Sequence, residues 1–299
     1  MEGDALGSAL AFYNLVKSMG KSASVFVDDN IPYGYEFLPG VQGVHKPDKR
    51  LMRTKFDTFV ILDCSDLRRS GNAANFTQGA YAINIDHHIS NTKFADVNWV
   101  MPQAASTTEM IYRLYKYLKV KIDRKTALLL YAGLLTDTGS FHYSNTSWYT
   151  YRVASELVKK GIDVAQVYRN IYEDVPYQDM QLLSRILPRM QTAYDGKVVW
   201  FELGRKILTR RKVCFDLSEH IMNFGRSIKG VQVILLFKEN LKGRGEVRVN
   251  LRSRGKIDVN KIASFFGGGG HKTASGITMR GKLSDVRGRV LNKLKDFIV

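Results

Sequence analysis

Four aspartates stand where regular elements should begin or end. Asp63 closes the apolar run Phe59-Val60-Ile61-Leu62, and Asp86 closes Ala82-Ile83-Asn84-Ile85. Asp137 ends the helical pattern that finishes Leu134-Leu135-Thr136, and Asp4 precedes the first helical pattern. Asp86 runs straight into His87 and His88. Taken singly, such an aspartate is a turn former or a helix cap. Taken together, carboxylates gathered on one edge repel one another unless they are protonated or share a cation. Carboxylates mixed with imidazole suit Mn²⁺ or Mg²⁺, and the imidazole favours Mn²⁺. Two such ions about 3.5–4 Å apart activate a water and stabilise the leaving oxygen of a phosphoester. Cys64 adjoins Asp63, but one thiol gives no zinc pattern.

The elements that must position these groups alternate along the first half. Leu6, Leu10, Tyr13 and Val16 fall at helical spacing, with Gly20 as a stop. Strands are expected at 23–27, 59–62 and 82–85, and helices at 104–119, 123–135, 147–161, 163–172 and 176–191. Short strands without alternation, set between helices, predict a parallel sheet covered on both faces. Ligands bind at the carboxyl edge of such sheets, where Asp63 and Asp86 lie. Around 188–197 the texture changes. Segments 197–203, 231–238 and 246–252 alternate as half-exposed strands, a helix follows at 258–266, and a last helix starts near 284. The expected class is α/β, with a smaller α+β second domain. The expected division is 1–188, a connector at 189–196, and 197–299, with a cleft between the domains.

Composition narrows the partners. The chain has 299 residues, 44% hydrophobic and 24% charged, which excludes disorder, collagen and coiled-coil arrays. The longest strongly apolar stretch, 126–135, is about half a membrane span. Met1-Glu2-Gly3-Asp4 is no signal peptide, and two cysteines build no disulfide framework, so a cytoplasmic setting without membrane contact is expected. The net charge of +17 is uneven: residues 1–188 carry 21 Lys+Arg against 19 Asp+Glu, and residues 189–299 carry 24 against 9. A basic second domain favours phosphates, nucleotides or nucleic acid.

That domain carries Gly267 to Gly270 and then His271. Glycines let a backbone approach a ligand closely, and successive N–H groups can form an anion nest. Arg252, in Leu251-Arg252-Ser253-Arg254, is the expected phosphate clamp through its planar fork. Phe265 and Phe266 read as packing residues, and Arg210-Arg211-Lys212 as a solvated charge cluster.

These motifs carry a resemblance. Asp4-Ala5-Leu6-Gly7-Ser8, then Asp63, then Asp86-His87-His88, then Asp137-Thr138-Gly139-Ser140-Phe141 resemble the ordered motifs of the DHH phosphoesterase superfamily. Gly268-Gly269-Gly270-His271-Lys272-Thr273-Ala274-Ser275-Gly276 is similar to the signature of its DHHA1 substrate-binding domain. Length and layout resemble the stand-alone nanoRNase and pAp-phosphatase branch. The resemblance implies metal ligands at Asp4, Asp63, His87 and Asp137, with Asp63 bridging two ions. It implies His88 beside the reacting phosphate and Asp86 orienting its neighbours. Arg252, Ser253, Gly268, Gly269, Gly270, His271 and Ser275 are the implied substrate-binding set.

One departure stands out. The family's first motif follows a strand and reads roughly His-x-x-x-Asp-x-Asp. Here Glu2 occupies the place of the first Asp, keeping a carboxylate for metal; the strand and His are expected ahead of Met1, the alternative being a natural chain with a weakened first metal site. The implied activity is hydrolysis of short oligoribonucleotides or 3′-phosphoadenosine 5′-phosphate, with two Mn²⁺ ions and Mg²⁺ as the alternative. Short RNA or phosphorylated nucleotides are the expected partners, and a homodimer is open to the chain. The competing readings are a phosphodiesterase for linear dinucleotides of the pApA type and a non-catalytic nucleotide- or RNA-binding protein.

Overall fold

The structure, a computed structural model, describes residues 3–47, 54–76, 79–209, 217–239, 245–254 and 256–298. It divides into two compact units, Met1–Asp174 and Val175–Val299.

The first unit begins with α1 (Gly3–Ser18). Two short strands, β1 (Val25–Phe26) and β2 (Val44–His45), pair in parallel. The main sheet is β3 (Thr58–Leu62), β4 (Tyr81–Asp86) and β5 (Val97–Val100), all parallel and in that order. Helices α2 (Thr107–Tyr117), α3 (Arg124–Asp137), α4 (Trp148–Val158) and α5 (Val164–Tyr168) follow, and a π turn covers Arg169–Glu173. Leu6, Leu10, Met110, Ile111, Leu129, Leu130 and Leu134 form its core, each at most 2% exposed. The apolar stripe of α1 meets α3, whose middle is apolar on every side and accordingly buried. The parallel sheet and its helices agree with the sequence. Strand β3 is less covered than its continuous apolar run implied: Val60, Ile61 and Leu62 are half-buried.

The second unit holds α6 (Tyr177–Ile186), β6 (Gln191–Ala193), β7 (Val198–Leu203), α7 (Arg205–Thr209), α8 (Ser218–Ser227) and β8 (Val233–Glu239). It continues with β9 (Glu246–Ser253), α9 (Val259–Phe265), β10 (Gly269–His271), β11 (Ala274–Arg280) and α10 (Leu283–Leu294). Among the described residues its sheet runs β10-β11-β9-β8-β7-β6, antiparallel except for the β7–β8 pair. Two expectations are corrected here. The half-exposed pattern assigned to β7 and β8 is wrong, because helices cover both faces. Val198, Trp200, Val233 and Leu235 pack with α9 and α10, while Val199, Phe201, Ile234 and Leu236 pack with α6 and α8. The domain boundary also moves from 188 to 174. Leu182, Leu183 and Ile186 of α6 complete the core under Val199 and Phe201, so that helix belongs to the second unit. Among the described residues no helix is long and apolar enough to cross a membrane.

Candidate metal centre

Asp4 lies in the first turn of α1, where a carboxylate suits the helix dipole. It is 1% exposed, and its charge is met by the opposite partner in the same language: the N-terminus of α2. The Thr107 N–H donates to Oδ2 at 2.6 Å and the Thr108 N–H to Oδ1 at 2.8 Å. The α2 start is itself capped by Ser106, whose Oγ accepts from the Glu109 N–H at 3.0 Å. A close approach of α1 to α3 brings Asp4 and the end of α3 together. A Cβ at Gly133 would lie 2.4 Å from Thr108 Cγ2 and 2.9 Å from Asp4 Oδ1, so only glycine fits there.

Asp63 follows β3 with φ +54°, a left-handed conformation that costs a non-glycine residue about 1–2 kcal/mol. Its N–H still donates to Ile85 O at 3.0 Å, and its Oδ1 accepts from Thr107 Oγ1 at 3.1 Å. Burial, then the neighbouring Asp4 carboxylate, raises its pKa to about 6. Asp137 occupies the last position of α3, where the helix dipole disfavours an anion. Nothing in local helix physics explains an acid there.

These acids surround His87, which is 1% exposed. Its Nδ1 lies 3.1 Å from Ala104 O, so Nδ1–H donates to that carbonyl and the ring orientation is set. Nε2 then lies 3.2 Å from Asp137 Oδ2, 3.7 Å from Asp63 Oδ1 and 3.8 Å from Asp4 Oδ2. Burial alone would lower the pKa of His87. The carboxylates of Asp137, Asp4 and Asp63 outweigh it and raise the value to about 9.

Asp86 and His88 form a second group. His88 Nδ1 is 2.7 Å from Asp86 Oδ1, and Asn91 Nδ2 donates to Asp86 Oδ2 at 2.6 Å. Asn91 is held in turn by Asn84 Oδ1 at 2.7 Å. Burial would raise the pKa of Asp86, but hydrogen bonds from His88 and Asn91 bring it down to about 2. Both Asp86 oxygens are thus engaged, one of them by the His88 ring.

The donor set fits divalent cations. One donor atom each from Asp4, His87 and Asp137 lies within 4.8 Å of the others, and the same holds for Asp63, Asp86 and His88. Asp63 Oδ1 stands between the groups, 3.7 Å from His87 Nε2 and 3.8 Å from His88 Nδ1. Carboxylates and imidazole are ligands of divalent cations. Cys64 is no competitor: its thiol donates to Asp66 O at 3.1 Å, and burial pushes its pKa up to about 11. Glu2 lies outside the described residues, as do Arg210, Arg211 and Lys212.

The basic-unit residues assemble on three adjacent strands. Arg252 in β9 stands opposite Ala274 in β11, which pairs with His271 in β10. The Arg252 side chain is 12% exposed and its Nη2 donates to Glu219 Oε1 at 2.6 Å, a partner the sequence did not suggest. Ser275 Oγ donates to His271 O at 2.8 Å, and Ser253 Oγ reaches Lys272 O at 3.5 Å. The glycine run is a helix cap and an edge strand rather than the expected open nest. The Gly268 N–H donates to Ala263 O at 2.8 Å, and Gly269 and Gly270 pair with Gly276 and Ser275. A Cβ at Gly268 would lie 2.2 Å from Gly276 O, so sheet packing alone demands that glycine. Thr107, Thr108, Asn84, Asn91, Gly133 and Glu219 were not singled out from sequence. Ser106-Thr107-Thr108-Glu109 has the spacing of a capping box at the α2 start, which the expected helix at 104–119 overran.

Residues 1–134 match the family model for the DHH family, N-terminal domain, and residues 211–299 match that for the DHHA1 domain. A Thermus thermophilus protein, "Bifunctional oligoribonuclease and PAP phosphatase NrnA", is 30% identical over 99% of this chain and 86% of its own length. A Mycoplasma genitalium protein of the same name is 28% identical over 98% of this chain and 91% of its own. A Bacteroides fragilis crystal structure described as an exopolyphosphatase-related protein superposes with TM-score 0.86 at 28% identity, covering 100% of this chain and 91% of that one. The chain belongs to the DHH family. DHH phosphoesterases are metal-dependent, and the acidic and imidazole donors of this chain are clustered accordingly.

Proposed function

We propose that the chain is a Mn²⁺-dependent phosphoesterase that hydrolyses short oligoribonucleotides and 3′-phosphoadenosine 5′-phosphate to mononucleotides. The observation that carries this reading is the gathering of Asp4, Asp63 and Asp137 carboxylate oxygens within 3.8 Å of the buried His87 Nε2. The substrate class rests on the relatives named oligoribonuclease and PAP phosphatase, one of which aligns with 99% of the chain.

Bound divalent ions supply a water of lowered pKa and positive charge for the leaving oxygen. The rest falls to the protein. Asp4, Asp63, His87 and Asp137 would hold the ions, and the α2 N-terminus and Ala104 O keep Asp4 and His87 in place. His88 keeps Nδ1–H on Asp86, which leaves Nε2 as the ring atom that gives or takes a proton at the reacting phosphate. In the second unit Arg252, Ser253, Gly269, Gly270, His271 and Ser275 grip the non-scissile phosphate and nucleotide, with Arg252 exchanging Glu219 for phosphate. A cytoplasmic setting accords with Cys64 as a free, buried thiol.

The test is side-by-side turnover of pAp, pApA and short RNAs. Turnover of pAp and RNA in Mn²⁺, weaker turnover in Mg²⁺, and loss on exhaustive chelation are expected. Full activity after chelation, or turnover of pApA alone, overturns the reading.

A further inference from the structure

The second unit carries an aromatic patch that its own packing does not explain. Helix α9 buries Val259, Ile262 and Ala263, and Phe266 at the next inward position packs on the same core. That i, i+3, i+4, i+7 stripe leaves Phe265 outside it, 63% exposed. The core therefore gives no reason for a phenylalanine at 265, and the sequence reading of Phe265 as a packing residue is corrected. Phe265 and Phe266 meet edge to face, with centroids 5.0 Å apart at 89°. Two cations of α10 stand over these rings: Lys293 Nζ is 4.2 Å from the Phe265 centroid, and the Arg289 guanidinium is 5.8 Å from that of Phe266. Lys293 also pairs with Asp296 at 2.9 Å. Val286, Val290 and Leu294 are the buried stripe of α10, so Arg289 and Lys293 share one flank, one turn apart.

We propose that this patch is a stacking platform for single-stranded RNA. Phe265 takes a base on its open face, and Arg289 and Lys293 take the phosphates beside it. Every base has a flat π-face and successive bases are separated by phosphate, so rings interleaved with cations match an unstacked strand. The surrounding charge agrees, with 24 Lys+Arg against 9 Asp+Glu over residues 189–299. A membrane or a protein partner would ask for a wider apolar face. Among the described residues from 245 to 298, Phe265 is the one exposed large apolar side chain. The choice of RNA rests on the proposed substrate class, while the platform does not depend on catalysis.

Equilibrium binding in EDTA tests it, using fluorescein-labelled oligouridines from the dinucleotide upward and the full chain. Phe265→Ala should weaken the longer oligonucleotides about tenfold, the loss of one base stack, and leave the dinucleotide unchanged. Phe265→Trp should restore binding. Lys293→Ala should reduce the salt dependence by about one counterion. Turnover of pAp by Phe265→Ala should equal wild type, showing an intact fold. If wild type binds long RNA and Phe265→Ala binds it equally well, the platform is overturned and the substrate reading stands. If wild type binds RNA of no length, the substrate reading fails first. A change in sedimentation or in binding to anionic vesicles, with RNA binding unaltered, assigns the patch to a second copy or to lipid and also overturns the platform.

Discussion

The two units treat their charged residues in opposite ways. In the first, Asp63, Asp137 and Asp4 converge on one imidazole, and Asp63 is held in a left-handed conformation to do so. Asp137 sits against its own helix dipole. Each placement costs the fold free energy, and together they are compatible with a ligand of opposite charge. In the second unit Arg252 has its counter-charge in Glu219, and Gly268 is required by the backbone of Gly276. There the same residues serve the fold whether or not a phosphate arrives. Residues that oppose the local fold point to chemistry more directly than residues that the fold already satisfies.

The largest effect that can break this contrast is at Asp63. Asp63→Ala removes one of the three carboxylates gathered on His87 Nε2, so kcat should fall by at least about a thousandfold, or ~4 kcal/mol of barrier. Substrate binding in the absence of turnover should change by less than about tenfold, because the second unit is untouched. A variant keeping a tenth of wild-type kcat would show that Asp63 is not shared between two ions.

Arg252 comes next, and here two variants sharpen the comparison. Arg252→Ala should cost about ten- to a hundredfold in kcat/KM for pAp and short RNA. It should cost little on bis-p-nitrophenyl phosphate, which has no second phosphate to hold. Glu219→Gln weakens the competing ion pair and should leave kcat/KM for pAp equal to wild type or higher. If both variants lower the melting temperature and slow both substrates alike, Arg252 belongs to the fold and not to the substrate.

The sequence made the chemistry of the first unit legible because the acids end regular elements. Asp63 follows an apolar strand, Asp86 ends one, and Asp137 ends an apolar helix. What holds them was not legible. Thr107 and Thr108 reach Asp4 through backbone N–H groups more than a hundred residues away, and a backbone donor carries no residue signature. In the second unit the strands were legible, but the allegiance of α6 was not. Its apolar stripe says that one face is buried, and only the tertiary fold says against which sheet. Phe265 differs again, because the stripe 259, 262, 263, 266 already excluded it from the buried face.

A smaller effect concerns Asn91, which holds Asp86 while Asp86 holds His88. Asn91→Ala should lower kcat about tenfold with KM nearly unchanged, the usual scale for a group that orients a reacting side chain. Metal titration of the variant should match wild type, since Asn91 touches none of Asp4, His87 or Asp137. Loss of metal affinity in step with kcat would instead make the Asn84–Asn91–Asp86 chain part of the metal site.

The smallest effect calibrates the others, because it concerns an acid whose partners lie wholly within the fold. Glu156 accepts a hydrogen bond from Tyr112 Oη at 2.5 Å and lies 3.2 Å from Lys116 Nζ. The Tyr112 hydrogen bond holds its pKa below the ordinary value of 4.5, against a small opposing effect of burial. A lowered folded-state pKa contributes stability that is complete above the unfolded value and is lost as pH falls through the folded one. Tyr112→Phe should therefore lower the melting temperature near neutral pH by about 2–4 °C, the scale of a net hydrogen bond of ~1 kcal/mol in a protein of this size. The difference from wild type should shrink below about pH 4, where Glu156 takes up its proton in the unfolded chain. Turnover and metal affinity should not change, because Glu156 has no part in the carboxylate–imidazole cluster. Asp137→Asn makes the reverse case: activity and the stabilisation by Mn²⁺ should both be lost, because its carboxylate is one of those gathered on His87. If Tyr112→Phe cost activity as Asp137→Asn does, or if Asp137→Asn kept the stabilisation by Mn²⁺, acids held by the fold could not be distinguished from acids held for a ligand.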